Sequence, residues 1–424
     1  MRPPRVLTIW LGLWSLAAVL PATAPPAALA ASVGDAKRIG RPAVELSIRG
    51  SKDRPFERFE GRLSALEIRL FDDAAEGRCL NQSLLAAALV ASGVNDVGTL
   101  RRYEGQVAGL VAELRRSGKV TGPARQQAQT IFEFIHHRVL RGGYQLDCTD
   151  LTIALRDGRF NCVSASVIFN CLAAEFGLVA RGLEVPGHAL SRLVLADGNL
   201  DVETTCPEWF RLSDHPEKQS ELVCKTIGVQ RNPGRSSDER RPVSDVELVA
   251  TIYYNRGVDL LGVKRFAEAA AANAKALRLD PNSITARGNL LATLNNWAVA
   301  EASAGRFHEA VGLLREGLAI EPGYETFQSN YRHVHREWVA QCCRAGDYGQ
   351  ALAVLARAAQ DRPEETALPG ARLEVYRLWA RNRFEAGRGE EAEAVLTRAR
   401  RELGDSLLLR ENAAGGVSLP LGHL

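Results

Sequence analysis

"GRFNCVSASVIFNCLAAEFGL", residues 158 to 178, sets a cysteine where a loop marked by Gly158 and Asn161 turns into an apolar helix. Cys162 can be read in two ways. Free cysteine is among the most buried residue types, so Cys162 can be a small packed hydrophobe, as Cys171 in the same helix is expected to be. A thiol at a helix N-terminus also meets unsatisfied N–H groups and the positive end of the helix dipole, which favour thiolate over thiol and make a nucleophile.

The residues downstream favour the nucleophile. His188 lies in "VPGHALSRL" at the start of a predicted strand, where an imidazole can face the helix end, pair with the thiolate and later act as general acid. "LADGNLDVETT" then returns with Asp201 and Glu203. Their carboxylates fall on one face at the two-residue period of a strand, and either can hold the imidazole by its second nitrogen. The turn signal Asp197-Gly198 between these β-rich runs predicts an antiparallel pair.

These residues resemble the transglutaminase-like superfamily, related in fold to papain-type cysteine proteases. The resemblance rests on "FNCVSAS", "GLVARGLEVPGHAL" and "VETT" and covers residues 75 to 210. It implies an α+β domain with Cys162 as nucleophile, His188 as base and Glu203 as the third member, with Asp201 as the alternative. Two positions depart from the family pattern: Phe160 stands where the family has Gly two residues before the cysteine, and Glu203 where it usually has Asp.

Other chemistry-bearing residues have blander readings. His136 and His137 come late in a predicted helix among arginines, where a solvated helix end favours cations. Ser164 and Ser166 are expected to hydrogen-bond at the helix N-terminus, and Cys342 and Cys343 to pack within a helix. None of the eight cysteines forms a C-x-x-C pair, so no metal or cofactor is implied, and any disulfides cannot be paired from spacing.

Upstream, residues 62 to 140 carry apolar positions at three- and four-residue spacing and read as amphipathic helices. Residues 226 to 245, "TIGVQRNPGRSSDERRPVSD", read as a linker. Beyond it Ala269, Ala310, Ala351 and Ala392 stand 41 residues apart. Trp297, Trp338 and Trp379 keep that interval, as do Pro281, Pro322 and Pro363, and Phe266, Phe307 and Tyr348. Coincident columns at one period mark a repeat array.

Within each unit "GRFHEAVGLLREGLAIEP" and "GDYGQALAVLARAAQDRP" resemble the second helix of a tetratricopeptide repeat, whose usual period is about 34. The additional residues amount to about two helical turns, so a lengthened first helix keeps its buried face in phase. The tryptophans are expected in the inter-helix core. The resemblance implies an all-α solenoid that binds a protein or peptide.

The N-terminus, "MRPPRVLTIWLGLWSLAAVLPATAPPAALAAS", has a basic start, an apolar run from Leu7 to Leu20 and an A-x-A site at residues 28 to 30. It reads as an export signal cleaved near Ala31, the run being too short for the roughly 17 residues a spanning helix needs. A net charge of +3 with no basic tract implies no nucleic-acid partner. The expected organisation is therefore a signal (1–30), a leader (31–61), the α+β transglutaminase-like domain (62–225), a linker (226–245), the TPR-like solenoid (246–404) and a tail (405–424). Two functions remain open: an exported cysteine-dependent hydrolase or acyltransferase of periplasmic or extracellular location, or a scaffold whose front domain has little activity.

Overall fold

The computed structural model describes residues 56 to 404 except 76, 78–80, 186, 214, 228–239 and 363–367. The expected export signal, most of the leader, much of the linker and the tail lie outside the described residues, as does Cys79. The fold is mostly helical with a small sheet region. No helix among the described residues is long and apolar enough to cross a membrane.

Contacts divide the chain into two compact units, the first running to Thr293 and the second from Leu294. In the first unit α1 (Ala65–Asp73), α2 (Leu84–Ala91), α3 (Val97–Arg116) and α4 (Ala124–Arg138) precede the short strands β1 (Gly143–Tyr144) and β2 (Arg159–Phe160), which flank α5 (Leu151–Asp157). α1, α2 and α3 start at Ser64, Ser83 and Asp96, each of which accepts a backbone N–H of the first turn. Then come α6 (Cys162–Glu175) and the strands β3 (Ala180–Val185), β4 (His188–Leu195) and β5 (Gly198–Val202).

α6 is the centre of this unit. Its residues from Cys162 to Asn170 are all buried, and it packs against α2, α4, β3 and β4. A helix apolar all round belongs inside a core, and "VSASVIFNCLAA" has that composition. The sheet runs β5-β4-β3-β6, every pairing antiparallel, with β6 at Arg241–Val243. β4 and β5 form the expected hairpin, with Leu195 paired to Gly198.

The expected boundary at residue 246 is not where the chain divides. After α7 (Pro216–Ile227), β6 adds to the edge of the sheet, and α8 (Asp245–Gly262) and α9 (Phe266–Leu279) belong to the first unit. The physical reason is a set of polar ties between these elements and the front helices. Arg241 pairs with Glu184 on β3 at 2.7 Å. Lys275 pairs with Glu67 on α1 at 2.6 Å, Tyr253 donates to the same carboxylate at 3.3 Å, and Arg256 donates to the Ala91 carbonyl at the end of α2.

The division falls within α10 (Ile284–Ser303). The second unit continues with α11 (Phe307–Ile320), α12 (Glu325–Arg344), α13 (Tyr348–Asp361), α14 (Leu368–Glu385) and α15 (Gly389–Leu403). α9, α11, α13 and α15 begin 41 residues apart. α10 and α12 have 20 residues against 14 in α9, α11 and α13, so the additional length sits in the first helix of each hairpin.

Ala310 and Ala351 have no exposed surface, and Ala392 is buried. Trp338 stacks on Phe307 at 6.1 Å and Trp379 on Tyr348 at 5.9 Å, so the aromatic of one hairpin meets the tryptophan of the next at a repeated offset. The hairpin turns repeat as well. Gly305, Gly346 and Gly387 all have φ near +75°, and the equivalent place in the first hairpin is held by Lys264 at φ 61°.

Candidate active site

Asn161 sets the geometry of the site. Its carboxamide oxygen accepts the N–H groups of Val163 at 3.0 Å and Ser164 at 3.1 Å, while the Asn161 N–H donates back to Ser164 Oγ at 3.0 Å. This reciprocal cap makes Cys162 the first helical residue of α6. The Asn161 amide also donates to Thr149 Oγ1 at 2.6 Å and the Leu146 carbonyl at 3.1 Å, which ties the helix start to the segment leading from β1. Among the described residues the Cys162 backbone N–H has no hydrogen-bond partner.

His188, the first residue of β4, lies close enough to Cys162 for the charge on sulfur to act on its ring. Its Nε2 meets Glu203 Oε2 at 2.7 Å, which leaves Nδ1 as the nitrogen without a carboxylate partner. Burial works against the charged imidazole, but the negative charges of Cys162 and Glu203 and the hydrogen bond to Glu203 outweigh it, raising His188 to about 10. Glu203 is almost fully buried, and its other oxygen accepts the Thr205 N–H at 3.0 Å and hydroxyl at 2.6 Å. With both oxygens occupied, the carboxylate is fixed in orientation.

Two bonds lock the pieces to one another. Ser166 Oγ and Thr204 Oγ1 are 2.9 Å apart, joining α6 to the Glu203 turn, and Ser191 on β4 donates to the Ser166 carbonyl at 3.5 Å. Ser164 caps the helix as expected, whereas Ser166 bridges to a different element. Asp201 is elsewhere. It lies across the hairpin from Arg192 and takes a bidentate pair from it at 2.6 and 3.0 Å, with Arg240 adding a third contact at 2.8 Å. β5 ends at Val202, so Glu203 leaves the strand face that Asp201 occupies and turns to the imidazole.

His136 departs from its expected role as a solvated cation. Its ring packs on Phe132 at 4.6 Å and Phe160 at 6.0 Å, and burial lowers it to about 4, so it is neutral near pH 7. His137, one residue on, is exposed. The described cysteine side chains are all free thiols, and burial pushes the Cys171 thiol up. Cys342 packs in the core of the second unit.

Two phenols near the site had no signal in the sequence. Tyr144 on β1 lies within electrostatic reach of Cys162 and Glu203, and Tyr254 on α8 within reach of Cys162. Tyr254 donates to Glu184 at 3.3 Å. Neither belongs to a motif, and only the packing of β1 and α8 brings them here. The arrangement as a whole sets a thiol at a helix head beside an imidazole that a buried carboxylate orients. No protein-family model, curated protein or solved structure matches this chain.

Proposed function

We propose that the first unit is a transglutaminase-like cysteine-dependent domain that cleaves or exchanges amide bonds through a thioester, and that the chain is exported. The observation that carries this reading is the buried 2.7 Å bond from Glu203 to His188, together with Cys162 at the head of α6 and within charge range of the imidazole. Cys162 attacks the carbonyl carbon of an amide, and the π electrons of the carbonyl pass to its oxygen. The Cys162 N–H, unpartnered among the described residues, is placed to donate to that oxyanion. His188 gives its proton to the departing amine, the C–N bond breaks, and the acyl group remains on sulfur. Water yields a hydrolase and a second amine yields a transferase. Glu203 keeps the imidazole in the orientation that this proton transfer needs.

The helical hairpins of the second unit support a role in binding a protein or peptide, since stacked hairpins present extended surfaces suited to such ligands. Iodoacetamide at pH 6, where an ordinary thiol is protonated, tests the enzymatic reading. Rapid labelling of Cys162 that is lost in His188→Ala is the expected result. A Cys162 that stays unlabelled in the folded protein leaves the scaffold function in its place.

A further inference from the structure

We infer that the Tyr144 hydroxyl is a side-chain donor to the oxyanion formed at Cys162, and so a catalytic residue; this rests on the thioester chemistry proposed above. Position is the first argument. β1 and β2 pair in parallel with Tyr144 opposite Phe160, two residues before the nucleophile. Gly142 donates to the Gly158 carbonyl at 2.8 Å, Gln145 to the Phe160 carbonyl at 2.8 Å, and the Asn161 amide to the Leu146 carbonyl at 3.1 Å. The segment that carries Tyr144 is therefore bonded along the loop that delivers Cys162, before and after the tyrosine.

The ring is held as well. It meets buried Phe160 edge-on at 6.3 Å with the planes 82° apart. From there its oxygen lies within charge range of both Cys162 and Glu203.

Availability is the second argument. Tyr144 is part-exposed, and among the described residues its hydroxyl has no hydrogen-bond partner. A phenol that held the fold together would spend its proton on a protein acceptor, as Tyr253 does on Glu67 and Tyr376 on Glu402. Tyr144 keeps its donor free across the β1–β2 pair from the residue two before Cys162. Burial and the neighbouring negative charges of Cys162 and Glu203 raise its pKa, so the phenol keeps its proton. A neutral phenol is then the complement of an oxygen that gains charge in the transition state.

Two reactions of the full chain separate this role from the nucleophile itself. p-Nitrophenyl acetate acylates Cys162: sulfur bonds to the carbonyl carbon, charge collects on the carbonyl oxygen, and p-nitrophenolate leaves with the electron pair of the broken C–O bond. Iodoacetamide alkylates the same sulfur by displacing iodide at a saturated carbon, with no oxyanion. Tyr144→Phe removes one oxygen and keeps the ring that packs on Phe160. It should slow the acylation burst by about 10²-fold or more while alkylation stays within about threefold.

Unchanged acylation in Tyr144→Phe, or equal losses in both reactions, overturns the assignment of Tyr144 and leaves the thiol chemistry standing. A parent protein that is alkylated but not acylated at Cys162 also overturns it. A parent protein in which Cys162 undergoes neither reaction overturns the enzymatic reading and this assignment together.

Discussion

In the second unit helices pack on their neighbours in the chain, α11 on α12, α12 on α13, α13 on α14 and α14 on α15. The candidate site of the first unit instead draws Cys162, His188 and Glu203 from α6, β4 and the turn beyond β5. The contrast bears on what a single substitution does. A side chain in the array answers to its own hairpin and the next, so its effect stays local and its equivalents recur at the same interval. A side chain in the site is placed by bonds from distant segments, and losing one bond moves chemistry rather than packing.

The widest separation is expected within the site. Glu203→Gln should lower turnover of any substrate by as much as about 10⁴, the cost of losing the carboxylate that orients a catalytic imidazole, whereas Asp201→Asn should change it by less than about threefold. Paired kcat/KM measurements check this. Equal small losses would remove the distinction between an assembled site and an ordinary surface pair.

The two histidines of the first unit sharpen the comparison through pH. His136 is lowered to about 4 from its ordinary 6.5, so the folded state binds fewer protons than the unfolded one between those values. Its contribution to stability is complete above pH 6.5 and lost as pH falls toward 4. Urea unfolding of the parent should weaken across that window, and His136→Gln should flatten the loss. His188 runs the other way: its raised value keeps it protonated to about 10. In a nitrogen-15 NMR titration its imidazole signals should stay those of the cation at pH 8, where those of His136 are neutral.

Packing in the array sets the next scale. Ala310 has no exposed surface, and Ala310→Leu should cost the second unit about 1–3 kcal/mol by overpacking. Gly317→Ala should act in the same direction, because a Cβ there would stand 2.2 Å from Phe327 on the following helix. Thermal melting monitored at Trp338 and Trp379 reads both. An unchanged melt in Ala310→Leu would break the repeat register that the alanine column defines.

The smallest effect, and the only gain, is expected at the first hairpin turn. Lys264 occupies the left-handed position that its counterparts fill with Gly305, Gly346 and Gly387. Lys264→Gly should stabilise by about 0.5–1 kcal/mol, relief of the Cβ strain outweighing the added freedom of the unfolded chain. Denaturant midpoints measure the gain, and its absence would mean that the turn tolerates a side chain at no cost.

Sequence by itself determined what depends on local spacing. The helices of the array follow from columns repeated at 41 residues, and the β4–β5 hairpin follows from two alternating runs around Asp197-Gly198. The head of α6 was legible because Gly158 and Asn161 break and cap the chain before an apolar run. Cys162, His188 and a nearby carboxylate could be named because each lies at the end of such an element.

Only the tertiary structure decided which carboxylate turns inward, since Asp201 and Glu203 share a strand period and differ only in where β5 stops and in Arg192 standing opposite Asp201. It also decided that α8 and α9 belong to the unit that holds the site, that His136 is half-buried and neutral, and that Tyr144 pairs with the residue two before the nucleophile. An amphipathic face has the same pattern whatever it packs against, and a tyrosine on a two-residue strand has no period at all. Their partners are set by contacts between segments far apart in the chain, where burial, charge and unspent hydrogen bonds take effect only after the segments meet.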